Sequence, residues 1–108
     1  MVSELSALRK WREYVSKLVE AIKRVVPSAE VYLVGGAAEG RLTALSDIDV
    51  LIALPREPSF EEAVEIRARV WEEAERLGVP LYAPIDLHVV GRNSLERYAK
   101  RGKVVKLS

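Results

Sequence analysis

The chain has 108 residues, 49% of them hydrophobic and 31% charged, with a formal net charge of +1. That length suits one domain around one core, and the charge balance gives no general pull toward nucleic acid or an anionic membrane. The absence of cysteine removes disulfides, thiolate metal sites and cysteine nucleophiles, which makes the cytoplasm the expected location.

From Ser3 to Val26, apolar residues Leu5, Leu8, Val15, Leu18, Val19, Ile22, Val25 and Val26 recur at spacings of three and four between Arg, Lys and Glu. This predicts a long amphipathic helix closed by Pro27. "EVYLVGG", residues 30–36, reads as a short strand entering a tight turn at its glycine pair. "SDIDVLIAL" reads as an internal strand, apolar on both faces apart from its aspartates. "PSFEEAVEIRARVWEEAERLG" carries Ser59 with Glu62 three residues on, the signature of a capping box, and Gly78 as a stop. "PIDLHVV", residues 84–90, is a further strand, and "NSLERYAKRG" a closing helix capped by Asn93 or Ser94. No apolar run approaches the ~20 residues of a membrane span, and the charged opening "MVSELSALRKWREY" does not read as a signal peptide.

The acids are divided unevenly, with thirteen Glu but only Asp47, Asp49 and Asp86 as Asp. The Glu residues fall mostly on predicted helices, where their propensity is better; the aspartates all fall in strand-like runs. Alternation puts Asp47, Asp49 and Leu51 on one face of their strand, and Asp86 with His88 on one face of theirs. If the strands are neighbours, the three carboxylates converge, and converging carboxylates repel unless a cation sits among them. Hard oxygen donors without cysteine point to magnesium or manganese, in the manner of phosphoryl and nucleotidyl transfer sites. Taken singly, each aspartate also has a structural reading: Asp47 capping a turn, Asp49 at the sheet rim, Asp86 paired with an arginine. "GGAAEG", residues 35–40, matches neither the dinucleotide fingerprint nor the P-loop, although adjacent glycines let backbone N–H groups approach a phosphate.

Together, "GGAAEGRLTALSDIDVLI" and "PIDLHVV" resemble the minimal nucleotidyltransferases of the DNA polymerase β superfamily. The resemblance runs from Val31 to Val90. It implies an α/β (α+β) fold in one domain over residues 1–108, with a small mixed sheet of three or four strands and helices packed on one side. It also implies that Asp47, Asp49 and Asp86 are catalytic and hold two magnesium ions, that Gly35 and Gly36 cradle the phosphates, and that Ser46 and Arg41 contribute to nucleotide binding. The family transfers a nucleoside monophosphate, here expected to be AMP from ATP, to an acceptor hydroxyl. Many members follow a Gly-Ser pair with arginines, whereas this chain has Gly36, Ala37, Ala38 and Glu39.

The short chain leaves no room for an acceptor domain, so the expected acceptor belongs to another molecule. Small stand-alone relatives are commonly antitoxins partnered with helical HEPN ribonucleases, and the resemblance implies that role here, in a homo- or hetero-oligomer. The alternative is a non-catalytic module of the same fold that neutralises its partner by occlusion. Trp11, Tyr14 and Trp71 read as packing residues, and His88 as a partly exposed strand residue or a group near the substrate. "KRGKVVKL", residues 100–107, reads as a solvated terminus, an edge strand or a partner contact. The absence of Gln and the single Asn93, beside abundant Glu, Arg and Lys, point to a thermophilic source.

Overall fold

The computed structural model describes residues 4–40 and 47–108. Helix α1, Glu4–Val25, ends where expected, because Pro27 has no N–H to continue the ladder and disfavours helical geometry in the residue before it. Strand β1, Glu30–Val34, runs into a four-residue helix α2, Gly35–Ala38. The glycine pair therefore opens a helical turn rather than a tight reversal. Strand β2, Ile48–Leu54, is followed by α3, Phe60–Arg76.

The capping box forms at the start of α3: Ser59 Oγ accepts from Glu62 N at 3.1 Å while the Ser59 N–H donates to Glu62 Oε1 at 3.2 Å. At the other end, Val79 N donates to Ala74 O and Gly78 N to Glu75 O, and Gly78 takes φ +100°. That pattern closes the last turn and needs a residue tolerant of left-handed backbone.

Strand β3, Ile85–Gly91, leads through a 3₁₀ turn at Arg92–Ser94 into α4, Leu95–Arg101. Ser94 stands at the start of α4 without a side-chain cap bond, contrary to the capping role expected for Asn93 or Ser94. Its hydroxyl instead donates to Glu57 Oε2 at 3.4 Å, and the same oxygen accepts from Gly91 N at 2.8 Å. Strand β4, Val105–Lys106, realises the edge-strand reading of the C-terminal run.

The four strands form one mixed sheet in the order β3-β2-β1-β4. β1 is antiparallel to both β2 and β4, and β2 is parallel to β3 with Asp49 opposite Asp86. Period-two alternation sends Val31, Leu33, Val50, Ile52, Leu87 and Val89 into one core with Val15, Leu18 and Ile22 of α1 and Val70 and Ala74 of α3. Trp11, Tyr14 and Trp71 are partly buried against this cluster, as packing residues should be. Leu18 and Ile22 are fully buried, and truncating either to Ala would cost about 2–5 kcal/mol. Arg24 of α1 donates to Glu73 of α3 at 2.9 Å, and that bond holds the Glu73 carboxyl below its ordinary value. No helix among the described residues is long and apolar enough to cross a membrane.

Candidate functional site

Helices α1 and α3 cover one face of the sheet. The opposite face carries the alternate residues: Glu30, Tyr32 and Val34 on β1, Asp49, Leu51 and Ala53 on β2, Asp86, His88 and Val90 on β3. Leu51 and Ala53 are fully buried, whereas the Asp49 side chain is 34% exposed. The face therefore opens toward the end where β1 finishes and β2 begins.

The two oxygens of Asp49 have different neighbours. His88 Nε2 lies 3.1 Å from Oδ1, and because an ionised carboxylate only accepts, Nε2 carries the proton. Oδ2 lies over Gly35, so close that a Cβ there would stand 2.9 Å from it. Gly35 also has φ +71°, a region that side chains disfavour. The register explains this packing: Val34 pairs with Asp49, so the next residue of the chain turns away beneath the carboxylate. Gly36 is unlike its neighbour, since a Cβ there would meet nothing within 4 Å.

Asp86 lies on the neighbouring strand in register with Asp49 and is exposed. Asp47 is exposed and immediately precedes β2. The described acidic and histidine side chains do not close into a group of three around one point: Asp49 and Asp86 are adjacent, Asp47 stands at the strand's mouth, and one Asp49 oxygen is turned to His88. The donor set nevertheless fits magnesium in its chemistry, being all carboxylate oxygen and confined to one strand end. Arg41 and Ser46 lie outside the described residues.

A cleft of about 340 Å³ lies over this end of the sheet. Val34, Gly35, Asp49 and His88 form one side, while Tyr98 and Arg101 of α4, with Gly102 and Lys103, form the other beside Glu39. Sequence reasoning missed Glu39, Tyr98, Arg101 and Lys103 as site residues. The basic run that holds two of them was visible, but its position depends on α4 and β4 returning to β1. Glu39 accepts from the Lys103 N–H through Oε1 at 3.4 Å.

A four-stranded sheet in this order, with paired aspartates at its open end, is the architecture of a nucleotidyltransferase fold. Solved structures agree. A candidate nucleotidyltransferase from Sulfolobus solfataricus is 19% identical, with a TM-score of 0.71, over 94% of this chain and 83% of its own. A second candidate nucleotidyltransferase is 26% identical with a TM-score of 0.52, over 87% of this chain and 97% of its own. A toxin-antitoxin structure with AMP-PNP is 20% identical with a TM-score of 0.56, over 86% of this chain and 71% of its own. A comparison with curated proteins finds no match. The nucleotidyltransferase domain family matches residues 15–107, and the chain belongs to that family.

Proposed function

We propose that this chain is a magnesium-dependent nucleotidyltransferase that transfers AMP from ATP to a hydroxyl on a partner protein, and that the partner is a helical HEPN-type toxin for which it is the antitoxin. The reading is carried by Asp49 and Asp86, paired across parallel strands at the open end of the sheet, with Gly35 shaped around the Asp49 carboxylate. The neighbour solved as a toxin-antitoxin with AMP-PNP supports both the nucleotide and the partner.

In the proposed reaction the acceptor hydroxyl oxygen attacks the α-phosphorus, the bond to the bridging oxygen of the β-phosphate breaks, and pyrophosphate leaves. Asp86 assists removal of the hydroxyl proton. Asp47 and Asp49 would hold the metal, and Asp86 would complete a second metal position. Bound magnesium, or manganese with its similar ligand preference, offsets the charge developing on the transferred group. His88 orients Asp49 through Oδ1, and Gly35 leaves room for Oδ2. Gly35 and Gly36 leave backbone N–H groups open to phosphate, while Arg41 and Ser46 bind and orient the nucleotide.

One observation favours a second reading, a nucleotide-binding module that neutralises its partner by occlusion: residues 36–39 offer no hydroxyl and no cation. The test is incubation with labelled ATP, magnesium and the product of the adjacent gene, for wild type and Asp47→Asn. Label transferred by the wild type and not by the variant supports the enzyme. No transfer with any nucleotide, together with unimpaired neutralisation by the variant, supports occlusion instead.

A further inference from the structure

The cleft over Asp49 is lined by charges of both signs. Asp49 stands on the sheet, while Arg101 and Lys103 come from the C-terminal segment beside Glu39. Both cations lie more than fifty residues along the chain from Asp49, yet their place is fixed at either end. α4 ends at Arg101. Two residues beyond Lys103, β4 pairs with β1, Leu33 opposite Val105 and Tyr32 opposite Lys106. Leu107 N donates to Val31 O at 2.7 Å, and Val31 N to Ser108 O at 2.9 Å.

Glu39 fastens the segment between: its Oε1 accepts from Lys103 N and lies 2.6 Å from where a Gly102 Cβ would be. Gly102 thus permits close approach of the two segments, and Glu39 is turned to the C-terminal backbone. Among the described residues, neither Arg101 nor Lys103 forms an ion pair.

Residues 35–40 supply no cation, and carboxylates consume much of the charge that a divalent ion brings to such a site. With Arg41 the one basic side chain that the proposed site supplies, a triphosphate bound there needs further cations, because phosphate oxygens are held by charge-assisted hydrogen bonds. We infer that Arg101 and Lys103 bind the β- and γ-phosphates of the nucleotide from the wall of the cleft opposite Asp49. The inference rests on the nucleotide reading given above and names the residues that make the site select a triphosphate over a monophosphate.

The test is calorimetric titration of the full chain with ATP and with AMP, each in magnesium, for wild type, Arg101→Ala, Lys103→Ala, the double variant and Lys106→Ala. Lys106 carries the same charge but pairs with Glu30 at 3.4 Å, away from the cleft. The expected result is a loss of ATP affinity of roughly tenfold for each cleft substitution, with AMP affinity and the Lys106→Ala variant unchanged. Both cleft cations are exposed, so thermal melts of all the variants should coincide. A wild type that binds ATP, with cleft variants that bind it equally well, overturns the inference and leaves the nucleotide reading standing. Equal losses for ATP and AMP also overturn it. A wild type that binds neither nucleotide overturns the nucleotide reading itself, and the inference with it.

Discussion

On β2, Ile48, Val50, Ile52 and Leu54 turn toward the helices and are buried, while Asp49, one residue out of phase, is about a third exposed on the other face. The same backbone thus serves two regions with different physics. On the helix face, stability comes from apolar area removed from water, and any side chain of suitable volume is tolerated. On the cleft face, at the end where Val34 meets Asp49, the constraints are single atoms: an N–H on Oδ1 and a missing Cβ under Oδ2. Farther along that face, Glu30 is closed off by Tyr32, Arg92 and Lys106, and the Tyr32 hydrogen bond holds its carboxyl below the ordinary value. One end of the cleft face is internally paired, and the other is open to a ligand.

The sharpest way to break the comparison is to exchange the roles of the two phases. Ile52→Asp would bury an unpartnered carboxylate in the core, at a cost of several kcal/mol, and circular dichroism should show an unfolded chain at room temperature. Asp49→Asn preserves shape and an acceptor for His88, so its melting curve should overlay the wild type while its nucleotidyl transfer falls at least 100-fold.

A smaller effect separates the two adjacent glycines. Gly35→Ala forces a Cβ into left-handed backbone and against the Asp49 carboxylate, so denaturant titration should show a loss of about 1–3 kcal/mol. Gly36→Ser meets open space and should leave stability within ~0.5 kcal/mol.

Away from the cleft, Ser59→Ala should cost about 1 kcal/mol in the same titration through loss of the α3 cap.

The smallest effect is the acid dependence of exposed carboxyls. Glu62, held down first by the Ser59 backbone hydrogen bond and then by Arg56, and Glu73, held down by Arg24, both lie below their ordinary value of 4.5. A carboxyl lowered in the folded state stabilises it above the unfolded value and loses that contribution as pH falls through the folded one. The melting temperature should therefore be flat above about pH 5 and decline only as the pH drops below 4.5, with a shallower decline in Glu62→Gln.

The helix face and its strands were legible in the sequence because burial is patterned along the chain: threes and fours on α1, twos on β3, and on β2 an apolar run interrupted only by Asp49. The α3 cap was legible because Ser59 and Glu62 bond to each other within one turn. Less was readable at the cleft. Alternation put Asp49, Asp86 and His88 on one face, but the His88 bond to Asp49 depends on strand neighbours that no local pattern names. The glycine pair read as a turn, since what distinguishes Gly35 from Gly36 is a carboxylate fourteen residues later. Arg101, Lys103 and Glu39 were out of reach for the same reason. A two-residue strand has no period to detect, and it is β4 that carries the basic run back to the site.

On the proposed function, nucleotide chemistry belongs to the open end of the cleft face. Amide chemical shifts of the full chain, followed by NMR during titration with ATP and magnesium, test it most directly. Perturbations should concentrate at Val34–Glu39, Asp49, Asp86–His88 and Tyr98–Lys103, and be abolished in Asp49→Asn. Perturbations confined to the helix face, such as the Arg24–Arg76 side of α1 and α3, or none at all, would contradict it.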